Sequence, residues 1–292
     1  MNALHQIDTS KKRLLKDRIF YWFIIAMAGL TISPIVLIIS KLIAKGYRQI
    51  SFEFLIKNTP DTYEAMTAIA NNEIIPGGIA NGIVGTLLMV IMAAVIAIPV
   101  GIITGIYLYE NQGKKLANFT RSISDIIQGI PSIVLGLIAY LWIVKNITNG
   151  YSALAGSVSL SIMMLPMIVR STEETLKMIP QTLKEAGLAL GVPYYKVILK
   201  ILVPTGFSGL LTGILLAISR VMGETAPLML TALGSTVVNL NIAKPTSAVP
   251  LLIWEFYNDP NMVPLIWSSS LLLMGIVLVL NIVSKQIAAK RK

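Results

Sequence analysis

Two opposite charges, Arg220 and Glu224, lie four residues apart in an otherwise apolar stretch, LLAISRVMGETAPLML (215–230). A charge at the centre of a membrane helix costs about 2.5–3.5 kcal/mol on insertion scales, so it normally faces a bundle interior or a water-filled cavity. With about 3.6 residues per turn, a helix would place Gly209 and Gly213 on the face that carries Arg220. Three roles are open: Arg220 supplies positive charge to the path of an anion, the pair is a structural or gating ion pair, or the charges meet groups on another chain.

A proline follows these charges within the same apolar stretch. In a continuing helix the ring of Pro227 would clash with the carbonyl of Gly223 and leave that group unpaired. The apolar sequence nevertheless runs on to about Gly234. We therefore predict a helix break at Gly223–Pro227. Irregular backbone at membrane depth is tolerated where it lines a cavity or is buried in protein.

The composition of the chain indicates a membrane protein. Of its 292 residues, 55% are hydrophobic and 13% are charged, whereas a soluble domain carries about 25% charged residues. There is no cysteine, and the only histidine is His5. This excludes disulfides, thiolate or histidine metal centres and a Ser-His triad, so we predict no catalytic residue and no metal site. We assign the net charge of +10 to loops at a membrane surface and not to nucleic-acid binding.

Six apolar segments are candidates for membrane spans, since about 20 apolar residues cross the hydrocarbon core. The fourth is shorter and rich in small residues, which favours packing against other helices over contact with lipid. We predict an all-α, polytopic membrane protein with six transmembrane helices. The spans are 19–43, 82–108, 123–145, 152–169, 204–226 and 264–284.

Basic residues predict the orientation of these spans. Lys and Arg collect in cytoplasmic segments of membrane proteins. The set of segments 1–18, 109–122, 170–203 and 285–292 is much richer in them than the alternating set. Both termini are therefore predicted to be cytoplasmic, as basic tails at 1–18 and 285–292. Segment 44–81 becomes an extracytoplasmic loop, and 227–263 lies on the same side.

Two polar residues of the third predicted span receive local roles. Asp125 is interpreted as a carboxylate at the start of a helix, where it would meet the positive end of the helix dipole. Ser132, beside Pro131, is expected to bond to the backbone that the proline frees. Neither is assigned to a substrate.

The inner segment PQTLKEAGLALGVPYYKVILKILVP (180–204) predicts a short, sharply bounded helix. Thr182 and Glu185 have the spacing of a capping box at a helix start. Gly191 can supply the left-handed residue that ends a helix, and Pro193 follows it.

The same segment resembles the EAA motif of ABC importer permeases, in which E-A-A is followed by three residues, G, nine residues and I-x-L-P. The chain departs from that pattern at two positions, with Gly187 for the second alanine and Val203 for leucine. The residues that match the motif's positions are Glu185, Ala186, Gly187, Gly191, Ile201 and Pro204.

This resemblance implies the type I ABC importer permease fold. It implies a transmembrane domain at 82–284 with five helices, preceded by the span 19–43. The loop 170–203 would couple the permease to a separate ATPase. The chain has no G-x-x-x-x-G-K-[ST] loop of its own. ATP and Mg²⁺ would therefore lie on the partner ATPase, and no cofactor on this chain.

Three further stretches resemble the PstA-type permeases of phosphate ABC importers: IIQGIPSIVLGL (126–137), LPMIVRSTEETLKMIP (165–180) and ISRVMGETAPL (218–228). The likeness extends from about residue 80 onward. It implies a cell-membrane complex with a PstC-type permease, two PstB-type ATPase subunits and a PstS-type phosphate-binding protein. A permease for sulfate or molybdate, a secondary transporter and an intramembrane enzyme are the alternatives.

Overall fold

The structure is a computed structural model that describes the backbone of residues 2–289. The side chains of residues 2–12 and 288 are not described. Residue 1 and residues 290–292 lie outside the described part, and with them the extreme ends of the two predicted basic tails. His5 is among the residues without a described side chain.

Nearly all of the described secondary structure is helical, and one isolated bridge joins Leu233 to Thr246. The α-helices are α1 Asn2–Gly46, α2 Phe52–Ile56, α3 Thr62–Ala70, α4 Ala80–Glu110, α5 Lys115–Gly129, α6 Ser132–Ala139, α7 Ala153–Lys177, α8 Gln181–Ala189, α9 Tyr194–Val197, α10 Val203–Thr205, α11 Phe207–Val221, α12 Ala226–Thr231, α13 Val249–Tyr257 and α14 Val263–Ala289. π-helical turns follow α6 at Tyr140–Val144 and α9 at Ile198–Leu202.

Six membrane spans are obtained if each of two bent helix pairs is counted as one span. Four helices are long and apolar enough on their own, within Arg13–Gln49, Ala80–Glu110, Ala153–Lys177 and Pro260–Ile287. The bent pairs are Lys115–Gly129 with Ser132–Val144, and Tyr194–Thr205 with Phe207–Val221. The prediction of an all-α polytopic fold is confirmed.

The third predicted span, 123–145, is wrong as a single straight helix. The chain bends by 103° between Gly129 and Ser132. Pro131 explains the bend, because it has no amide hydrogen and disfavours helical backbone in the residue before it. Ile130 is accordingly extended, with ψ of 132°, and α6 starts afresh after Pro131.

The predicted span 204–226 also differs from the structure at both ends. Helix α11 covers only Phe207–Val221, and a bend of 69° at Gly206 separates it from the preceding helical segment. Gly206 leaves helical geometry with ψ near 1°. Residues 222–225 form the turn that leads into α12, which begins at Ala226.

The prediction that segment 152–169 packs against other helices is confirmed. It lies in α7, the most buried of the four long apolar helices. Helix α4 crosses α7 closely, because Gly101 faces Ile168 and Gly105 faces Thr172 with no room for a side chain. This GxxxG contact fixes the centre of the bundle.

The segments outside the spans are partly helical and carry a core of their own. Helices α2, α3 and α13 and the first turn of α14 pack around a cluster of buried residues, among them Phe54, Ile79, Leu252, Phe256 and Leu265. The Thr86 hydroxyl accepts a hydrogen bond of 2.9 Å from the Val249 amide, which ties α13 to α4.

Candidate functional site

The glycine face of α11 lies directly against α7. A Cβ atom at Gly209 would lie 2.5 Å from Thr175 Cγ2, and one at Gly213 would overlap the Ser171 side chain. Toward the C-terminal end of α11, on the same face, Arg220 Nη1 lies 3.5 Å from Sδ of Met167 in α7. The glycines therefore serve close helix packing, and Arg220 emerges where that packing ends.

The chain turns sharply beyond Arg220, at the segment predicted as a helix break. Helix α11 ends at Val221, and the amide of Gly223 donates to the Arg220 carbonyl over 3.2 Å. A new helix, α12, starts at Ala226, which makes Pro227 its second residue. A proline there needs no amide hydrogen, so the clash expected for a continuous helix does not arise.

Helix α12 packs against α6 through the same proline. A Cβ atom at Gly136 would lie 2.6 Å from Pro227 Cα, so the two helices touch backbone to backbone. The contact brings the turn at 222–225 beside the α5–α6 bend. Gly136 and Pro227, far apart in sequence, are therefore in direct contact at this point of the bundle.

A cavity of about 210 Å³ lies between this turn and the α5–α6 bend. Polar groups reach it from three helices: Gln128 from α5, Ser132 from the first turn of α6, and Arg220 from the end of α11. Glu224 lines it from the turn, and Met163 lines it from the middle of α7. The cavity is therefore polar and close to the midpoint of a membrane-spanning helix.

The two charges are paired only loosely. Arg220 Nε lies 3.9 Å from Glu224 Oε1, at the limit of an ion pair. The side chain of Arg220 is 45% exposed, whereas that of Glu224 is 20% exposed. The guanidinium group thus keeps donors for another acceptor, and Glu224 restrains it without saturating it.

Sequence reasoning missed Gln128 and Ser132 as members of this site. The predicted bond from Ser132 to the freed backbone is wrong, because among the described contacts its hydroxyl has no backbone partner, and the residue lines the cavity. Both residues lie in IIQGIPSIVLGL, which carried a resemblance. That resemblance could have indicated both residues, whereas nothing in the sequence indicated the bend that turns them toward Arg220.

The prediction for Asp125 is also wrong. Helix α5 begins at Lys115, well before Asp125. The Asp125 carboxylate instead pairs with Arg170 at 3.4 Å, across to α7. Nearby, the buried Glu173 carboxylate accepts from Arg121 at 2.8 Å and Lys177 at 2.6 Å. The pairs of Asp125 with Arg170 and of Arg121 with Glu173 fasten α5 to α7, whereas Lys177 pairs with Glu173 within α7.

The segment with the EAA pattern forms two short helices joined by a tight turn, but the predicted capping box is wrong. Helix α8 starts at Gln181 with Pro180 as its N-cap and without a side-chain cap. Thr182 is therefore already the second helical residue and cannot occupy the N-cap position that a capping box requires. Gly191 has φ of +75°, the left-handed conformation predicted for it.

The residues of the EAA pattern divide into exposed and packed members. Glu185 and Ala186 are exposed, and Gly187 is buried against Ile201, whose Cδ1 atom would lie 2.9 Å from a Cβ there. Pro204 is the exposed second residue of α10. Packing of α8 on the following helical segment therefore leaves Glu185 exposed.

Lys184 joins this segment to the membrane bundle. Its Nζ lies 2.8 Å from Glu110 Oε2, at the end of α4, and donates to the Tyr194 hydroxyl over 3.0 Å. It also lies over the ring of Tyr109, 5.4 Å from the ring centroid. Movement of α8 is thereby linked to α4.

Comparisons with known proteins agree with this geometry. The family described as "Binding-protein-dependent transport system inner membrane component" matches residues 97–291. The phosphate transport system permease protein PstA of Yersinia pestis is 42% identical over 219 residues, 74% of each chain. PstA of Mycobacterium leprae is 32% identical over 280 residues, which cover 94% of this chain and 88% of the relative.

Solved structures agree on the fold. The inward-facing MetNI methionine ABC transporter superposes with a TM-score of 0.61 at 22% identity, and the match covers 72% of this chain and 94% of that one. An amino acid ABC transporter gives 0.54 at 14% identity, covering 80% of this chain and 99% of that one. The chain therefore belongs to the family of binding-protein-dependent transport permeases of the inner membrane, and within it to the PstA phosphate transport system permeases.

Proposed function

We propose that the cavity beside Arg220 is this chain's part of a pathway for inorganic phosphate in an ATP-driven importer. The observation that carries the proposal is the convergence of Arg220, Gln128 and Ser132 on one cavity of about 210 Å³ beside a helix break. Phosphate is a small oxyanion that accepts several hydrogen bonds, and the guanidinium fork suits it.

The other donors at the cavity fit the same ligand. The Gln128 amide and the Ser132 hydroxyl can each donate a hydrogen bond without adding charge. The first turn of α6 brings the positive end of a helix dipole to the cavity wall. Glu224 limits the positive charge, which favours release of the anion over tight retention.

Exposure of the site supports a second permease subunit. Gln128 and Arg220 are both exposed in the isolated chain. An arginine facing lipid at this depth would be costly, so protein or water must cover this side in the membrane. A PstC-type permease in a heterodimer meets that need and would contribute the remaining groups of the pathway.

The other assignments follow from the relatives and from the charge pattern. Two PstB-type ATPase subunits would bind ATP and Mg²⁺ and meet the α8 segment around Glu185. A PstS-type phosphate-binding protein would deliver phosphate on the opposite face. Residues 82–284 form the transport domain, the span 19–43 precedes it, and both basic tails lie in the cytoplasm.

Phosphate uptake by proteoliposomes that contain the assembled complex tests the role of Arg220. Arg220→Gln should lower uptake at limiting phosphate at least about tenfold, the effect of losing one charge-assisted hydrogen bond. Arg220→Lys keeps the charge but loses the two-pronged guanidinium group. Its phosphate uptake should lie between that of Arg220→Gln and that of the wild type. Lys57→Gln, an exposed cation far along the chain, is the control.

The alternative role, an ion pair with no part in transport chemistry, gives a different pattern. Glu224→Gln would then impair uptake as much as Arg220→Gln, and the double variant would be no worse than either. Normal uptake by well-assembled Arg220→Gln would refute the proposal. Competition by sulfate or molybdate with no effect of phosphate would assign the pathway to another oxyanion.

The ATPase contact has a separate test. Glu185→Lys reverses an exposed charge on α8 without touching the cavity. We expect ATP hydrolysis to lose its coupling to phosphate uptake while the isolated permease pair stays folded. Lys57→Glu, also exposed but outside the segment 170–203, is the matched charge reversal. If ATP hydrolysis stays fully coupled to phosphate uptake in Glu185→Lys, α8 does not form the contact with the ATPase.

A further inference from the structure

A second cavity, with a volume of about 500 Å³, shares no lining residue with the cavity beside Arg220. It is bounded by the end of α1, by residues 72–75 after α3, and by the start of α14. The transport site described above uses none of its residues.

The walls of this cavity are fixed by buried contacts. Ser268 Oγ donates to the Gly46 carbonyl over 2.8 Å, and a Cβ at Gly46 would lie 2.7 Å from the Trp267 carbonyl. The buried Gln49 side chain donates from Nε2 to the Ile75 carbonyl over 2.6 Å. Helix α1 is thus held to α14 and to the segment after α3, so the space between them is a built feature.

Three charged side chains line the cavity: Lys45, Arg48 and Glu73. Lys45 Nζ lies 5.0 Å from the centroid of the Trp267 ring. All three are exposed, and among the described ion pairs none involves any of them. The cavity therefore offers two cations and one carboxylate that are not neutralised within the chain.

The cavity lies at the level of the membrane surface. The apolar run of α1 ends at Lys41 to Lys45, and the apolar run of α14 starts near Val263, so both spans reach the interface here. Trp267 and Tyr47 are side chains that favour this level. Below it, the sides of α1 are exposed along the whole apolar run and offer a surface for acyl chains.

We propose that this cavity binds the headgroup of a phospholipid that carries both a phosphate and a primary amine, as in phosphatidylethanolamine. Lys45 and Arg48 contact the phosphate, Glu73 contacts the ammonium, and the acyl chains follow the exposed face of α1. Charge complementarity selects this occupant: a headgroup without an amine leaves Glu73 unpaired, and free phosphate gains nothing from the adjoining apolar surface.

Native mass spectrometry of the assembled complex, after exchange into detergent with defined lipids, tests the proposal. The probes are phosphatidylethanolamine, phosphatidylglycerol and inorganic phosphate, each titrated separately. The wild type should retain phosphatidylethanolamine, and Lys45→Ala/Arg48→Ala should bind it about thirtyfold more weakly, from the contribution of two basic residues near a lipid surface. Glu73→Gln should remove the preference over phosphatidylglycerol.

The control is Lys57→Ala, which removes an exposed cation outside the cavity, itself paired with Glu53 at 3.1 Å. It should retain lipid like the wild type. Equal lipid retention in Lys45→Ala/Arg48→Ala and the wild type would overturn the proposal. So would a preference for phosphatidylethanolamine over phosphatidylglycerol that survives Glu73→Gln, or binding of inorganic phosphate that depends on Lys45 and Arg48 while lipid binding does not.

Discussion

The contact between α7 and α11 gives the sharpest prediction of stability, through Gly209→Ala. The added Cβ would lie 2.5 Å from Thr175 Cγ2 and 2.7 Å from Thr175 Oγ1. Because threonine is branched at Cβ, rotation cannot move both atoms away at once. The two helices must separate or the threonine must leave its preferred rotamer.

Overpacking of this kind costs about 1–3 kcal/mol. Replacement of glycine by alanine in a helix returns about 0.8–1 kcal/mol. Gly275→Ala in α14 isolates the second effect, since a Cβ there meets nothing within 4 Å. The free energies of unfolding of the two variants should therefore differ by about 1–3 kcal/mol, with Gly209→Ala the less stable.

Thermal unfolding of the purified complex in one detergent provides the measurement. A loss of 1 kcal/mol lowers Tm by about 2–4 °C in chains of 150–250 residues. Thr175→Ala should rescue Gly209→Ala, because it removes both γ atoms and leaves Thr175 Cβ at 3.2 Å. Thr175→Ser should rescue less, since one γ atom remains. Equal Tm values for Gly209→Ala and Gly275→Ala would refute the reasoning.

Three further predictions concern other parts of the chain. Lys184→Ala leaves the Glu110 carboxylate, 10% exposed, without its cation. The free energy of unfolding should fall by about 1–3 kcal/mol, and proteolysis near Gly191 should increase. Lys184→Ala/Glu110→Gln should recover part of the lost stability. Burial raises the pKa of the Glu255 carboxyl above its ordinary 4.5. Ionisation of this group therefore lowers the stability of the folded protein as pH rises above 4.5. Glu255→Gln should raise Tm at pH 7 and should not change it below pH 4.5. Gly187→Ala restores the alanine of the EAA pattern. Its Cβ would lie 2.9 Å from the flexible end of Ile201 and 3.2 Å from Val197 Cγ2. The gain of about 0.8–1 kcal/mol from alanine in a helix offsets this tight contact, so Tm should stay within about 2 °C of the wild type.

The membrane architecture could be predicted because run length and hydropathy decide it locally. Each of the six predicted spans overlaps a long apolar helix or a bent pair. The bends were not predicted, although Pro131 and Gly206 mark both of them. Proline and glycine permit a bend without requiring one, since neighbouring helices can satisfy the freed backbone groups.

The candidate site could be predicted only in part for the same reason. Arg220 and Glu224 stand out locally, because charge is rare in an apolar run. Gln128 and Ser132 become their neighbours only through the packing of Gly136 on Pro227, a contact between distant parts of the chain. The glycine face of α11 was visible in the sequence, whereas the choice between a packed helix and an open space depended on Ser171 and Thr175.

That packing also gives Gly213 a role in the proposed phosphate site. Gly213 lies seven residues before Arg220, about 10 Å along α11, whereas Gly209 lies about 16 Å away. A Cβ at Gly213 would overlap both Oγ and Cβ of Ser171, so displacement of α11 would begin close to the arginine.

Gly213→Ala should therefore lower phosphate uptake at limiting substrate more than Gly209→Ala does, when uptake is normalised to the amount of assembled complex. Ser171→Gly should restore uptake because it removes both overlapping atoms, and Ser171→Ala should not, because Cβ remains. If assembled Gly213→Ala transports phosphate like the wild type, the position of Arg220 does not depend on this contact. If only Ser171→Gly rescues, the contact between α7 and α11 sets where the guanidinium group meets its anion.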